Sequence, residues 1–199
     1  MHALQQHILN KIALTEHEFQ KVLGHFESVE LKKGSRLINH GSIIKHQYFV
    51  VKGCLRTFMI DPSGKEHTIQ FAIENWWVSD YISYYKAVRS LLTVECIEDC
   101  ELLKINIDDL NLLFDELPQV ERFFRKQLEN AFVAFQIRIL SGLYQTAEKR
   151  YEDFVQNYPD LEKRVKNYQI ASYLGITPES LSRLRKLRIV SKSESESEK

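Results

Sequence analysis

In the stretch KNYQIASYLGITPESLSRLRK, residues 166–186, Glu179, Ser182, Arg183 and Lys186 recur three and four positions apart, the spacing that puts side chains on one helical face. Arg185 and Arg188 flank them. This set suits nucleic acid: a guanidinium forks onto O6 and N7 of guanine, a carboxylate accepts from N4 of cytosine, and neighbouring cations and hydroxyls hold phosphates. From Leu161 to Val190 the chain carries Lys163, Arg164, Lys166, Arg183, Arg185, Lys186 and Arg188 against only Glu162 and Glu179. That local excess attracts phosphates, although the whole chain has a formal net charge of zero. A solvated basic helix has the same charge pattern, so the elements around these residues must decide.

Those elements read as a tight helix-turn-helix. Ile170, Ala171, Leu174, Ile176, Leu181 and Leu184 supply an apolar seam that locks two short helices together. Gly175 permits the left-handed conformation that ends the first helix. Thr177 caps the second, with Pro178 at its first position and Glu179 complementing its dipole. Many helical hairpins share these features; the basic face away from Leu181 and Leu184 favours a helix that enters the major groove.

Upstream, Leu117-Pro118 opens a segment with no proline before Pro159. In it Phe124, Leu128, Ala131, Phe135 and Arg138 or Ile139 follow alternating steps of four and three, while Phe123, Phe132 and Leu140 widen the apolar surface. Heptad-like spacing is a coiled-coil pattern, so this long helix is expected both to pack on its own chain and to pair with a second copy, with Phe124, Leu128, Ala131, Phe135 and Ile139 at the dimer interface.

From Glu27 to Ile107 the texture is short β-prone runs broken by turns, which predicts an antiparallel barrel or sandwich. Asp-Pro-Ser-Gly at 61–64 sits between CLRTFMI and KEHTIQFAI and marks a hairpin. Residues 4–26 read as a helical lead-in, and Thr15 with Glu18 fits a capping box. The order is then residues 1–116 for the N-terminal helices and barrel, 117–145 for the long helix, 146–190 for the helix-turn-helix, and 191–199 for an acidic tail. Alternating Ser and Glu in that tail predicts disorder.

This whole arrangement, from about Leu9 to Val190, resembles the cyclic-AMP receptor protein and FNR superfamily of bacterial transcription regulators. The carriers are LKKGSRLINHGSIIKHQYFVVKGCLRTFMIDPSGKEHTIQF, with Gly34, Gly41, Gly53 and Gly64 at strand turns, and YQIASYLGITPESLSRLRK. The resemblance implies an α+β chain: an antiparallel β-roll of the cyclic-nucleotide-binding type (a double-stranded β-helix), a long dimerisation helix and a helix-turn-helix. It implies a homodimer with double-stranded DNA as partner, a small-molecule effector and contact with RNA polymerase. Glu179 and Arg183 fall where family members read bases, and Ser182, Arg185, Lys186 and Arg188 then hold phosphates. Pro178 replaces an arginine often found before that glutamate, which implies an altered sequence preference. The two strands of a wing usually follow the recognition helix; LRIVSK before the acidic tail implies a truncated wing.

Nucleotide-binding members hold the ribose with a Gly-Glu pair and the cyclic phosphate with Arg-Ser or Arg-Thr. Here Ser79-Asp80 takes the first place, and Ser90 falls at the second with Arg89 one position early. The shorter carboxylate, the Ser79 side chain and the bulk of Trp76, Trp77, Tyr81, Tyr84 and Tyr85 argue against cyclic AMP. Trp77, Ser79, Asp80, Tyr81, Arg89 and Ser90 are expected to line a pocket for another effector.

Composition bounds the rest. With 199 residues, 44% hydrophobic and 27% charged, the chain can bury a real core. No apolar run suits a bilayer and the N-terminal stretch has no signal-peptide core, so a cytoplasmic protein without membrane contact is expected. No cysteine precedes Cys54, so the N-terminal cysteine group of iron-sulfur members is not matched; Cys54, Cys96 and Cys100 fit no disulfide or zinc pattern, and no cofactor or metal is assigned. His40, His46 and His67 form no paired ligand motif and no nucleophile has a recognisable setting, which argues against an enzyme. The competing reading is a sensory or protein-interaction module with a vestigial helix-turn-helix.

Overall fold

The computed structural model describes the backbone of residues 2–197 and the side chains of residues 2–188. Helices α1 (His2–Leu9) and α2 (Glu16–Gly24) come first. At the start of α2 the Thr15 hydroxyl accepts from the Glu18 N–H while Glu18 accepts from the Thr15 N–H at 2.7 Å, the expected capping box. Eight strands follow: β1 (Glu27–Leu31), β2 (Arg36–Ile38), β3 (His46–Lys52), β4 (Leu55–Ile60), β5 (Glu66–Ala72), β6 (Trp77–Val78), β7 (Thr93–Cys96) and β8 (Cys100–Asn106), with helix α3 (Tyr81–Lys86) between β6 and β7.

The strands form two antiparallel four-stranded sheets, ordered β1-β8-β3-β6 and β2-β7-β4-β5. Ile38, Val50, Leu55, Val94 and Leu102 fill the space between them, as strand alternation requires of a closed roll. The Asp61–Gly64 turn joins β4 to β5. Between β3 and β4, Gly53 has φ +104° and a Cβ there would lie 2.6 Å from both the Asp99 carbonyl oxygen and the Cys100 sulfur, so no other residue fits.

Helix α4 (Ile107–Glu116) leads into α5 (Pro118–Tyr144), a 27-residue helix with proline in its first turn. The first turns of α5 bury Val120 and Phe123 against Phe19, Phe49 and Ile105. Phe124 departs from its expected place at the dimer interface: its ring meets Trp77 at 4.8 Å and Phe114 at 5.6 Å, inside the same chain. Trp77 on β6 reaches the α5 surface and claims that position. Beyond it the apolar face stands uncovered, with Leu128, Phe132, Phe135, Ile139 and Leu143 all exposed.

Helices α6 (Ala147–Asn157), α7 (Leu161–Arg164), α8 (Asn167–Leu174) and α9 (Pro178–Ser197) complete the chain. Tyr151, Phe154, Leu161, Ile170, Ala171, Leu174 and Leu181 form their core, and Cys54 and Phe71 of the barrel join it. The terminal domain is therefore docked on the roll. The tail expected to be disordered from 191 is instead helical as far as Ser197. No Gly or Pro follows Pro178, so nothing in the chain interrupts a helix nucleated by its packed first turns. Residues 198–199, and all side chains after Arg188, lie outside the described residues, and no strand follows α9 among those described.

Candidate DNA-reading helix and effector pocket

Gly175 has φ +67°, and its N–H satisfies carbonyls of the last turn of α8. Two residues on, the Thr177 hydroxyl accepts from the Ser180 N–H at 3.2 Å and starts α9. Leu181 is buried beneath that turn, which leaves Glu179, Ser182, Arg183 and Lys186 on the open side. The backbone N–H groups at the start of α9, the Thr177 side chain and the Arg183 charge hold the Glu179 carboxyl below its ordinary range. It is thus an anionic acceptor at neutral pH, beside a guanidinium donor. Asn167 donates to the Ser182 hydroxyl at 3.1 Å and orients it from α8.

Arg185 and Arg188 do not share the open face. Arg185 Nε lies 3.1 Å from Glu162 Oε1, and Arg188 Nη1 lies 3.7 Å from Glu162 Oε2. They follow Leu181 and Leu184 by four residues, so the helix carries them onto the packed stripe, where the Glu162 carboxylate on α7 collects them. Tyr151 donates to the same carboxylate.

The expected effector residues separate into two groups. Ser79 donates to the His46 carbonyl at 2.8 Å; Asp80 caps α3 by accepting from the Ile82 and Ser83 N–H groups, and Ser90 donates to Asp80 at 2.6 Å. All three are buried and already committed within the fold. Arg89 is exposed and donates to the Gly41 carbonyl at 2.9 Å, away from Asp80. The polar groups of these four are thus bonded within the fold: a short carboxylate at a helix N-terminus bonds the helix. Trp77 and Tyr81 do line a cavity, of about 650 Å³, but its other walls come from α5 and the terminal domain.

Sequence reasoning missed the residues that join barrel to terminal domain. Arg164 on α7 forks onto Glu74 at 2.8 and 2.9 Å and onto Glu98 at 2.8 and 3.0 Å. Glu74 also accepts from the Gly53 N–H at 2.8 Å. Burial is the largest single influence and opposes the Glu74 charge, but the Arg164 hydrogen bonds, the backbone N–H groups of Glu74 and Gly53 and the Arg164 charge together hold the carboxyl below its ordinary range. Nearby, Ser172 of α8 donates to the Glu66 carbonyl and accepts from the Thr68 N–H, and Gln169 donates to Glu95. From α5, Arg138 donates to the Ile69 and Thr68 carbonyls and lies 4.4 Å over the Tyr173 ring. Partners up to 106 positions apart carry no local signal.

Comparison with known proteins agrees with this architecture. The cyclic nucleotide-binding domain family matches residues 28–116. The transcriptional activator protein Anr of Pseudomonas protegens is 24% identical over 165 residues, spanning 77% of this chain and 67% of that protein. The fumarate and nitrate reduction regulatory protein of Yersinia pestis is 24% identical over 184 residues, spanning 86% and 72%. Among solved structures, FixK2 from Bradyrhizobium japonicum superposes with a TM-score of 0.74 at 16% identity, over 84% of this chain and 86% of that one. The c-di-GMP-responsive regulator CLP of Xanthomonas campestris gives 0.69 at 16% identity, over 89% and 93%. A nucleotide-binding-type roll over residues 28–116, then a long helix and a capped helix-turn-helix in this order, make the chain similar in sequence and fold to these transcription regulators.

Proposed function

We propose that the chain acts as a homodimer that binds double-stranded DNA through α9 and regulates transcription by RNA polymerase. The observation that carries this is the open face of α9: an ionised Glu179 and an exposed Arg183 side by side on a helix whose cap and core are intact. Arg183 and Glu179 read base edges, while Ser182 and Lys186 meet phosphates. Arg185 and Arg188 brace α9 on Glu162. Pairing of the uncovered α5 faces sets two such helices about 34 Å apart, one turn of DNA. The roll does not take cyclic AMP in this reading, because Ser79, Asp80 and Ser90 already bond one another and the backbone.

Selection from random oligonucleotides, followed by fluorescence anisotropy over a salt series, tests the proposal. A palindromic site is expected, and Arg183→Ala is expected to lose about 1–3 kcal/mol and relax one position in each half-site. Affinity should fall steeply with salt, with Lys186→Ala reducing the log–log slope by about one per half-site. If no sequence is enriched and Arg183→Ala changes nothing, the helix-turn-helix is vestigial and the chain is an interaction module.

A further inference from the structure

The cavity of about 650 Å³ lies where the roll, α5 and the terminal domain meet, and its size suits a small organic molecule. Phe71, Trp76 and Trp77 line it from the roll, Phe135 from α5, and Tyr158 and Tyr173 from the terminal domain. Trp76 meets Tyr158 edge to face at 5.7 Å, so the aromatic wall is continuous across the junction. Flat polarisable molecules stack well on such walls.

At the end of this apolar space nearest the terminal domain, Arg138 stands without an acid among the described residues. A guanidinium has five N–H donors, and Arg138 uses its two observed bonds on neutral carbonyls, those of Ile69 and Thr68. No carboxylate pairs with it among the described residues, whereas the other two arginines at this junction are matched, Arg56 by Glu66 and Arg164 by Glu74 and Glu98. Burial lowers the Arg138 pKa, the mark of a cation short of compensation. The Tyr158 and Tyr173 hydroxyls have no hydrogen-bond partner among the described residues, and burial raises both pKa values, Tyr173 to about 12, so both stay protonated donors. The other charged lining residues, Lys11, Glu121 and Arg125 with the His7 ring, gather near Gln127, about 16 Å along α5 from Arg138.

We propose that this cavity binds an organic monoanion with a flat aromatic body, its carboxylate received by Arg138 and the Tyr158 and Tyr173 hydroxyls. A carboxylate matches the guanidinium fork, and one anion balances Arg138, the cation without an acid at this end of the cavity among the described residues. Polyphosphates would need several more cations than this end of the cavity holds. The assignment deepens the regulator reading, since Arg138 also ties α5 to β5 and to α8, the elements that position α9.

Calorimetry on the purified full chain tests it, with 2-naphthoate as probe, the neutral 2-naphthamide as isostere and inorganic phosphate as a bare anion. The expected result is saturable binding of naphthoate, naphthamide weaker by about tenfold or more, and no heat from phosphate. Arg138→Gln should abolish the preference for the acid, Arg138→Lys should keep part of it, and Tyr158→Phe should weaken naphthoate several-fold while leaving naphthamide unchanged. Should Arg138→Gln unfold on loss of its carbonyl bonds, Tyr158→Phe decides. Equal binding of acid and amide, absence of binding by the wild type because a second copy's α5 fills the space, or a preference retained in folded Arg138→Gln would each overturn the proposal. A chain that binds naphthoate but selects no DNA keeps this site and loses the regulator reading; one that selects DNA and ignores naphthoate does the reverse.

Discussion

Single residues fix the corners of this molecule, and glycine shows how differently they do so. Gly53 and Gly175 both have positive φ, at +104° and +67°. A Cβ at Gly175 would meet nothing within 4 Å, so Gly175→Ala carries only the left-handed conformation, about 1 kcal/mol. At Gly53 the same methyl strikes a backbone oxygen and the Cys100 sulfur, and the loop also supplies the N–H bonded to Glu74. Gly53→Ala is therefore expected to cost about 3 kcal/mol, several-fold more than Gly175→Ala, in urea unfolding followed by circular dichroism. Equal costs would mean that the β3–β4 turn relaxes freely. The two positions are not equally legible in the sequence. Gly175 announces itself through Thr177 and Pro178 beside it, whereas the crowding at Gly53 comes from a strand more than 40 residues away.

Elements were readable where their signals are local. The α2 capping box, the Asp61–Gly64 hairpin and the turn before α9 all rest on residues within a few positions of one another, and each stands where the pattern puts it. Helix faces were readable only in part, because periodicity says which residues share a side and not what that side meets. Phe124 fits the heptad spacing yet packs on Trp77, and Arg185 fits the basic helix yet packs on Glu162. Asp80 stands at a ligand position in the sequence pattern and serves as a helix cap. The remaining α5 face carries a direct prediction. Phe132 is exposed and stands outside the cavity, so Phe132→Glu places a charge on the proposed pairing surface alone. Sedimentation velocity is expected to show a dimer for the wild type and a monomer for the variant, with specific DNA affinity reduced at least about tenfold because half-sites are then engaged singly. A dimer that survives the substitution would place the subunit contact elsewhere.

At the scale of the whole molecule, the proposed function requires the roll to govern where α9 points. The terminal domain touches the roll through apolar contacts at Cys54 and Phe71 and through the polar set around Arg164, Gln169 and Ser172. Apolar contacts tolerate sliding, but the double fork of Arg164 on Glu74 and Glu98 fixes an orientation, because both carboxylates must be met in one plane. Its strength depends on Glu74 staying ionised. A carboxyl whose pKa is lowered in the docked state contributes stability above its free value, here 4.5, and loses it as pH falls through the lowered value. The docked arrangement should therefore hold at neutral pH and loosen below about pH 4.5, where the Glu74 contribution is withdrawn. Arg164→Gln removes the fork at any pH and leaves the apolar contacts in place. Amide exchange is expected to rise at neutral pH in α8 and β5 of that variant, while the barrel strands β3 and β8 keep their protection. Under the proposed function, the DNA affinity of the variant should fall together with its selectivity, because a dimer would then present its two recognition helices at unfixed spacing. Unchanged exchange in α8 would show that the apolar contacts alone orient the terminal domain, and would move control of α9 from the Arg164 fork to α5 and Arg138.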